Sequence, residues 1–387
     1  MSERKILSEL IEWTDDWTGA SFFSQFRKKG EFRLTDDQIK KRENYLKSLN
    51  PIYLAQCSRM LQDVNREREF LIKYQASPYE DMISLTNEVA GVFNIETMLQ
   101  LTQDGGRDPF DSRHRFEAVQ LFDIAVTMAH IEQYKAMDNL GRDHKENFAQ
   151  IEQKLFRGQA KKITIWTHHD PKDFFRVNHE PKINKRLRRD AQNVRRHDVK
   201  CRILKNGEYV LVHHRLKGPW RTYLKLLLQK RYHRENPHRD TLLVSDRCGD
   251  KYIVRTPQLA YKLAQQIRKI FLELGADLSD VQGNISLDRT VDPDNPHTSS
   301  LFKALKFDAC LNNQSYENQI MTFRDYFSSH FALNDENHRI YKLNQAISVF
   351  LPMLFPSCIH EVSWGNTGVK KRLRQYTIDQ IGWSVIH

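Results

Sequence analysis

An acidic residue and a His-x-x-Tyr-Lys segment stand close together in YENQIMTFRDYFSSHFALNDENHRIYK, residues 316–342. The first part of this stretch predicts a strand. Because strand side chains alternate between two faces, Glu317, Gln319 and Met321 share one face. On a buried face such polar groups need partners, and the alternative is an edge strand with a solvated polar face. A carboxylate held in this way is suited to binding a metal ion or accepting a proton.

A basic cluster occurs in RLKGPWRTYLK, where a predicted strand passes into a predicted helix. Arg215 and Lys217 lie on one face of that strand, since its side chains repeat every two residues. Lys225 follows on the helix. Cations that converge from a strand and the next helix suit a polyphosphate. The alternative is an exposed basic face that has no ligand.

A second acidic residue ends the apolar strand predicted in LLVSDRCGDKYIV, with Asp246 at the carboxyl end and Gly249 turning the chain. A carboxylate in this place is well positioned for Mg²⁺, which prefers oxygen ligands and phosphates. The alternative is an Asp that only forms a turn. If Asp246 lies near Glu317, the two carboxylates make a metal site.

Together the three motifs resemble, in order and spacing, the synthetase domain of the RelA/SpoT homologue family over residues 180–345. In that family an Arg-x-Lys strand leads into a helix with a further Lys, and a strand ends in Asp-x-x-Gly-x-Arg. A later strand reads Glu-x-Gln-Ile-Arg-Thr and is followed by His-x-x-Tyr-Lys. The matching positions here are Arg215, Lys217, Lys225, Asp246, Gly249, Lys251, Glu317, Gln319, Thr322, His338, Tyr341 and Lys342.

The resemblance implies a Mg²⁺-dependent pyrophosphotransferase, which moves pyrophosphate from ATP to the 3′-hydroxyl of an acceptor. It implies that Asp246 and Glu317 are catalytic and hold the Mg²⁺, with Glu317 a candidate to help remove the hydroxyl proton. The ATP phosphates are expected to bind Arg215, Lys217, Arg221, Lys225 and Lys251. The structural residues expected to brace the Glu317 strand from behind are His338, Tyr341 and Lys342.

Several positions depart from the family pattern. Arg221 stands at a usual Ser and Met321 at a usual Arg. Leu301 replaces a Gly, Phe302 replaces the Tyr that stacks on the acceptor base, and Lys306 replaces a His. The acceptor site, expected from Phe302, Lys306 and Gln319, is therefore altered and more basic.

The acceptor stays open between two classes of molecule. A purine nucleotide would make the product an alarmone, and the 3′ end of tRNA would make the protein a translation-inhibiting toxin. The non-enzymatic alternative is an inactive domain that binds nucleotide or RNA as a regulatory module. The helical N-terminal region is a candidate contact for a protein partner or an antitoxin.

The formal charge of +11 and the pI near 9.3 favour polyanionic partners, nucleotides and RNA among them. The segment Lys182 to Lys200 carries eight Lys or Arg in nineteen residues. Two interpretations of it remain open, a helix that reaches phosphates or RNA and a solvated basic face. Scattered cysteines and the lack of an apolar run of about 18–20 residues indicate a reducing cytoplasm and no membrane span.

The chain changes character near Lys161. Residues 1–158 are predicted to form a helical domain, residues 159–350 the RelA/SpoT-like synthetase domain, and residues 351–387 a C-terminal extension. From residue 199 onward predicted strands and helices alternate, and the Asn206-Gly207 pair between two of the strands is a strong hairpin signal. Mixed strands and helices with some hairpin pairing predict an α+β fold, and the family resemblance implies a nucleotidyltransferase-like mixed sheet flanked by helices.

Overall fold

The computed structural model describes residues 3–19, 22, 26, 30–103, 109–137, 140–168, 176–178, 194–235, 248–281, 303–311, 314–332 and 337–386. The chain divides into two compact units, each built from segments that are not adjacent in sequence. The helical unit comprises Met1–Asp138, Gly218–Val244 and Gln345–Leu373. The sheet unit comprises Asn139–Lys217, Ser245–Asn344 and Arg374–His387.

The helices are numbered here in chain order. They are α1 (Glu3–Glu12), α2 (Asp15–Thr18), α3 (Asp36–Lys47), α4 (Pro51–Leu71), α5 (Glu80–Ile83), α6 (Asn87–Ala90), α7 (Ile95–Gln103), α8 (Pro109–Met137), α9 (Leu140–Leu155), α10 (Pro219–Glu235), α11 (Pro257–Glu273), α12 (Phe323–Phe331), α13 (His338–Gln345), α14 (Leu351–Leu354), α15 (Ser357–His360) and α16 (Thr367–Ile386). Short π-helical segments span Ile72–Ala76 and Ala346–Phe350, and a 3₁₀ turn spans Ser77–Tyr79.

The strands are β1 (Lys161–His168), β2 (Arg176–Asn178), β3 (Val194–Ile203), β4 (Tyr209–Leu216), β5 (Cys248–Val254), β6 (Asp277–Leu278), β7 (Leu305–Leu311) and β8 (Gln314–Thr322). They form one sheet with the order β2-β1-β3-β4-β5-β8-β7-β6. The β5–β8 pair is parallel, and the other pairs are antiparallel. The architecture is thus mixed α and β, in agreement with the predicted α+β class.

Helix α8 is the centre of the helical unit. Every residue from 116 to 131 is buried, so the helix is covered on all sides and serves as the core around which the others pack. Helices α1, α4, α7 and α10 contact it. Polar side chains on such a helix must find partners inside the unit, and Glu117, Gln120 and Asp123 each make hydrogen bonds there.

Local sequence signals set the predicted helix starts. Thr35 caps α3 through a reciprocal pair of hydrogen bonds with Gln38. Pro51 occupies the first turn of α4, where its missing N–H costs nothing, and the Asn50 side chain caps the same turn. Pro257 begins α11 in the same way, with Thr256 as the cap.

The sheet has an apolar core on each face. Tyr316 and Ile320 of β8 point into the core that α9 and α11 cover. Met321 points the other way, into a core that includes Phe323 and Phe327 of α12. The predicted alternation along β8 is therefore confirmed, and the face that carries Glu317 is the α12 face.

Two local predictions need correction. Gly249 does not turn the chain, because it lies inside β5 and pairs with Arg215 on one side and Glu317 on the other. The described end of the basic segment, residues 194–200, is not helical but belongs to β3, whose pairing with β1 runs over eight residue pairs. The remainder of that segment lies outside the described residues. The predicted hairpin turn is confirmed, since Gly207 between β3 and β4 has a positive φ of 94°.

The two units differ from the three contiguous domains of the prediction. The predicted boundary at residue 158 falls inside the sheet unit, because α9 packs against α11 there. Helix α10 follows β4 in sequence but belongs to the helical unit, where it packs against α8.

Candidate functional site

Two cross-strand rows of polar residues lie on the α12 face of the central sheet. In the first row, the register aligns Arg215, Gly249, Glu317 and Asp308. The second row aligns His213, Lys251, Gln319 and Lys306. We call these eight residues the polar face. The next positions along three of these strands are Leu211, Ile253 and Met321, which belong to the core, so the polar face adjoins an apolar floor.

An ion pair spans the first row. The Arg215 Nη2 donates to the Glu317 Oε2 across 2.6 Å, with 39% of the arginine side chain and 16% of the glutamate side chain exposed. Gly249 separates the two residues in the register. A Cβ atom built on Gly249 would lie 3.4 Å from the Arg215 Nη2 and 3.4 Å from the Glu317 carbonyl oxygen. Glycine thus leaves the space through which the guanidinium reaches across β5.

Lys251 is the part-buried cation of the second row. Its pKa is lowered to about 8, first by burial and then by repulsion from Arg215 and Lys306, while Glu317 acts in the opposite direction. Positive charge therefore exceeds negative charge around this ammonium group. An anion bound at the polar face would relieve the repulsion and raise the pKa of Lys251.

Asp308 and His213 complete the polar face, although neither belongs to one of the three sequence motifs. Asp308 is the exposed partner of Glu317 across β7 and β8. The ring of His213 stacks on Tyr326 of α12 at a centroid distance of 5.4 Å. Strict alternation in LKFDACL would have placed Asp308 beside Lys306 on one strand face. No motif drew attention to either residue.

The His-x-x-Tyr-Lys segment forms the start of α13. The rings of His338 and Tyr341 lie 6.0 Å apart, and the Lys342 Nζ lies 5.4 Å from the Tyr341 ring centroid. The pKa of His338 is lowered, first by the protein packed around the ring and then by the charges of Lys342 and Lys251, although the side chain still reaches solvent. This helix therefore lies within electrostatic range of the polar face, and its bracing role stays a prediction.

The other expected phosphate ligands are not among the eight residues of the polar face. Lys217 follows β4 directly after its last residue, Leu216. Arg221 and Lys225 lie on α10, which belongs to the helical unit. Three further predicted positions, Asp246, Leu301 and Phe302, lie outside the described residues.

The polar face contains two carboxylates that could bind the expected Mg²⁺. Glu317 and Asp308 are direct cross-strand partners, so their carboxylates project from the same side of neighbouring strands. Among the residues that the structure describes, no group of three or more His, Cys, Asp or Glu side chains is arranged to hold a metal ion. Mg²⁺ commonly takes one or two carboxylates and completes its shell with water and phosphate oxygens. This oxygen donor set fits Mg²⁺ when a polyphosphate is bound beside it.

Comparison with known proteins gives no relative. No family model matches the chain, and neither a curated protein nor a solved structure matches it. In the ranges that the structure describes, no helix has the length and apolar character needed to cross a membrane.

Proposed function

We propose that the sheet unit is a Mg²⁺-dependent pyrophosphotransferase with a RelA/SpoT-like, nucleotidyltransferase-type fold. The observation that carries this proposal is that Arg215 and Glu317 share one cross-strand row of the polar face and Lys251 lies in the next row on the same face. Three motifs that lie far apart in the chain contribute one residue each to it. A structural role alone would not require two cations and a carboxylate to share a part-buried face, because each such group is costly to desolvate.

The phosphates of ATP are the anion that this face would accept. Arg215 can clamp phosphate oxygens with its planar guanidinium, and Lys251 supplies a point charge beside it. Lys217 at the end of β4 is the third candidate in the same unit. Arg221 and Lys225 remain predicted ligands from α10. A bound Mg²⁺ would be held by Glu317, with Asp308 beside it and Asp246 as the family-implied ligand, and would neutralise phosphate charge.

The reaction is the one that the family resemblance implies, and these residues can be given roles in it. The 3′-hydroxyl oxygen of the acceptor forms a bond to the β-phosphorus of ATP, the bond from that phosphorus to the α,β-bridging oxygen breaks, and AMP leaves. Glu317 takes the hydroxyl proton. To do so, the Glu317 carboxylate must leave the Arg215 guanidinium and contact the acceptor hydroxyl. The ATP phosphates then replace the carboxylate as the partner of Arg215. Binding of ATP thus prepares the base.

The acceptor binds beside Glu317, where Gln319 and Lys306 form the neighbouring pair of the second row. Gln319 is buried and offers both a donor and an acceptor to a base edge or a ribose. Lys306 favours an acceptor that carries phosphate. A purine nucleotide and the 3′ end of tRNA both meet this requirement, and Phe302 is the predicted stacking residue for either.

The test is transfer of label. The full chain, Mg²⁺ and ATP labelled on the γ-phosphate are offered GTP, GDP, adenine nucleotides and deacylated tRNA in separate reactions. Label on a small nucleotide identifies an alarmone synthetase, and label on tRNA identifies a toxin of translation. We expect Glu317→Gln to lower the rate by about a hundredfold to ten-thousandfold, because it removes the proton acceptor.

Glu273→Gln is the matched control, since Glu273 makes an exposed ion pair with Lys154 in the same unit. We expect this variant to keep the transfer rate. Full activity in Glu317→Gln would refute the assignment of the base.

A second candidate is a nucleotide-binding module without transfer chemistry. The 2.6 Å ion pair favours it, because a carboxylate already neutralised by Arg215 is less available to a metal or to a proton. ATP binding that is equally tight with and without Mg²⁺, together with no label on any acceptor, would select this module.

A further inference from the structure

The antiparallel pair β1–β3 presents a second functional surface. Its register places Lys162 opposite Lys200, Thr164 opposite Asp198, and Trp166 opposite Arg196. We call these six residues the outer face. Side chains at the alternating positions of β1 and β3 point to the opposite side of the sheet. Ile165 and Cys201, for example, are buried in the core on the α12 side. The outer face therefore lies on the opposite side of the sheet from the polar face.

The outer face is basic and accessible. The side chains of Lys162 and Arg196 are 72% and 59% exposed. Both contact Asp198, at 3.3 Å and 3.1 Å respectively. A hydrogen bond from Thr164, followed by that from Arg196, holds the pKa of the Asp198 carboxyl below its usual range. This central carboxylate orients two cations but neutralises only one charge.

Cations extend the same surface along β3. Lys200 is exposed, and Arg202, two residues further on, pairs with Glu152 at 3.1 Å while lying over the Phe156 ring at 5.4 Å. Among the residues that the structure describes, four cations of this face (Lys162, Arg196, Lys200 and Arg202) stand against two contacting carboxylates, Asp198 and Glu152. The surface therefore attracts polyanions.

Trp166 gives this basic surface an aromatic side chain at one end. The indole is only part-buried, and its cross-strand partners are Arg196 of β3 on one side and Asn178 of β2 on the other. Sheet surfaces that carry an accessible aromatic ring among Arg and Lys side chains bind single-stranded nucleic acid, because a base stacks on the ring while the cations follow the phosphates. A duplex keeps its bases stacked internally and cannot use the ring in this way.

We propose that the outer face is a binding site for single-stranded nucleic acid. An unpaired base stacks on Trp166, and Lys162, Arg196 and Lys200 contact the flanking phosphates. The site goes beyond the proposed transfer reaction and does not depend on it. A failure here is distinguishable from a failure of transfer, because transfer to mononucleotides does not involve the outer face.

The test measures binding by fluorescence anisotropy, with the full chain and labelled oligonucleotides of about 12 nucleotides. Single-stranded RNA, DNA of the same sequence and an RNA duplex are compared over a range of salt concentrations. Wild-type protein is expected to prefer the single strands. Tighter binding of RNA than of DNA assigns the site to RNA, and equal binding assigns it to single strands of either kind.

Variants at the indole separate stacking from charge. Trp166→Ala should weaken binding by about tenfold or more, and Trp166→Phe should restore it to within about threefold, because a phenyl ring still stacks. Thermal unfolding of each variant is followed in parallel. Equal affinities of wild type and Trp166→Ala would overturn the proposal. Loss of binding in Trp166→Phe with a lowered Tm would also overturn it, since that result marks a packing role.

Variants at the cations test the phosphate contacts. The double variant Lys162→Ala/Lys200→Ala should bind more weakly and reduce the slope of log K against log salt by about 1.4. The control is Lys370→Ala/Lys371→Ala, which removes the same charge from exposed positions on α16. An equal loss in the control would overturn the proposal, as would equal binding of the duplex. Competition by anionic phospholipid vesicles that requires Trp166 would identify a membrane surface instead and would also overturn it.

Discussion

Two arginine–carboxylate pairs, one in each unit, differ in how completely they are satisfied. Arg42 and Asp123 of the helical unit are fully buried, and the guanidinium donates to both carboxylate oxygens, at 2.8 and 2.6 Å. Its remaining nitrogen contacts Asp16 at 2.9 Å, and the Trp17 indole donates to Asp123. Arg215 and Glu317 of the sheet unit share one contact and stay partly open to solvent.

The difference separates a structural pair from a site. The Arg42 guanidinium has its donors engaged by protein groups on the helical unit, so it has no capacity left for a ligand. In contrast, Arg215 stands beside a second cation, Lys251, whose pKa is lowered first by burial and then by repulsion from Arg215 and Lys306. The same two side-chain types thus form a fully buried pair in one unit and a part-exposed pair, at which we propose that an anion binds, in the other.

The largest expected effect comes from breaking the buried Arg42–Asp123 pair. Asp123→Ala leaves the buried Arg42 without its main counter-charge and should lower the free energy of unfolding by about 3–5 kcal/mol. Urea unfolding measures this change. Lys47→Ala, which removes an exposed partner of Glu43, is the control and should change the value by less than about 0.5 kcal/mol. Equal stability of Asp123→Ala and wild type would show that the pair is not structural.

A smaller effect is expected from filling the space beside Gly249, between Arg215 and Glu317. Gly249→Val places a branched side chain against the Arg215 guanidinium and the β8 backbone, at a cost of about 1–3 kcal/mol that falls on ATP affinity and on stability. Isothermal titration with ATP and Mg²⁺ gives the affinity. Gly365→Ala is the control, because a Cβ there meets nothing within 4 Å. Unchanged ATP binding in Gly249→Val would place the phosphates elsewhere.

The smallest expected effect is a dependence on pH. Lys251 titrates near pH 8 in the folded protein, so it is charged at neutral pH and neutral above that value. ATP affinity should fall by about tenfold between about pH 7 and about pH 9 as this charge is lost. Lys251→Arg keeps its charge and should bind ATP with little change over that range. If the ATP affinities of wild type and Lys251→Arg fell equally with pH, a group other than Lys251 would be responsible.

The same lysine gives a signed stability effect. Its folded pKa is lowered below the ordinary lysine value of 10.5, so the unfolded chain binds more protons between about pH 8 and 10.5. Its contribution to the free energy of unfolding therefore rises over that range. Lys251→Met should remove this contribution to the slope of the free energy of unfolding against pH.

Much of the local structure was predictable because it depends on neighbouring residues. Thr35 and Pro51 mark helix starts through backbone chemistry, and Gly207 supplies the positive φ of the hairpin. The alternation along β8 likewise follows from strand geometry. These signals act over a few residues and need no tertiary information.

The remaining features depend on contacts across the fold. Gly249 resembles a turn residue in sequence, and only its pairing with β4 and β8 places it in a central strand. Asp308 belongs to the site because β7 lies next to β8. Helix α10 belongs to the helical unit because it packs on α8, although its sequence follows the basic strand β4 directly. No pattern along the chain encodes these partners.

The interleaving of the two units has a consequence for how the protein can be made. The helical unit includes residues up to Leu373. The sheet unit begins at Asn139, between two segments of the helical unit, and includes residues after Leu373. Each unit therefore forms only when segments that lie far apart in the sequence have come together, and such long-range pairing is slow. No single cut in the chain releases either unit as a contiguous fragment, so neither can be produced alone as one uninterrupted piece of this sequence.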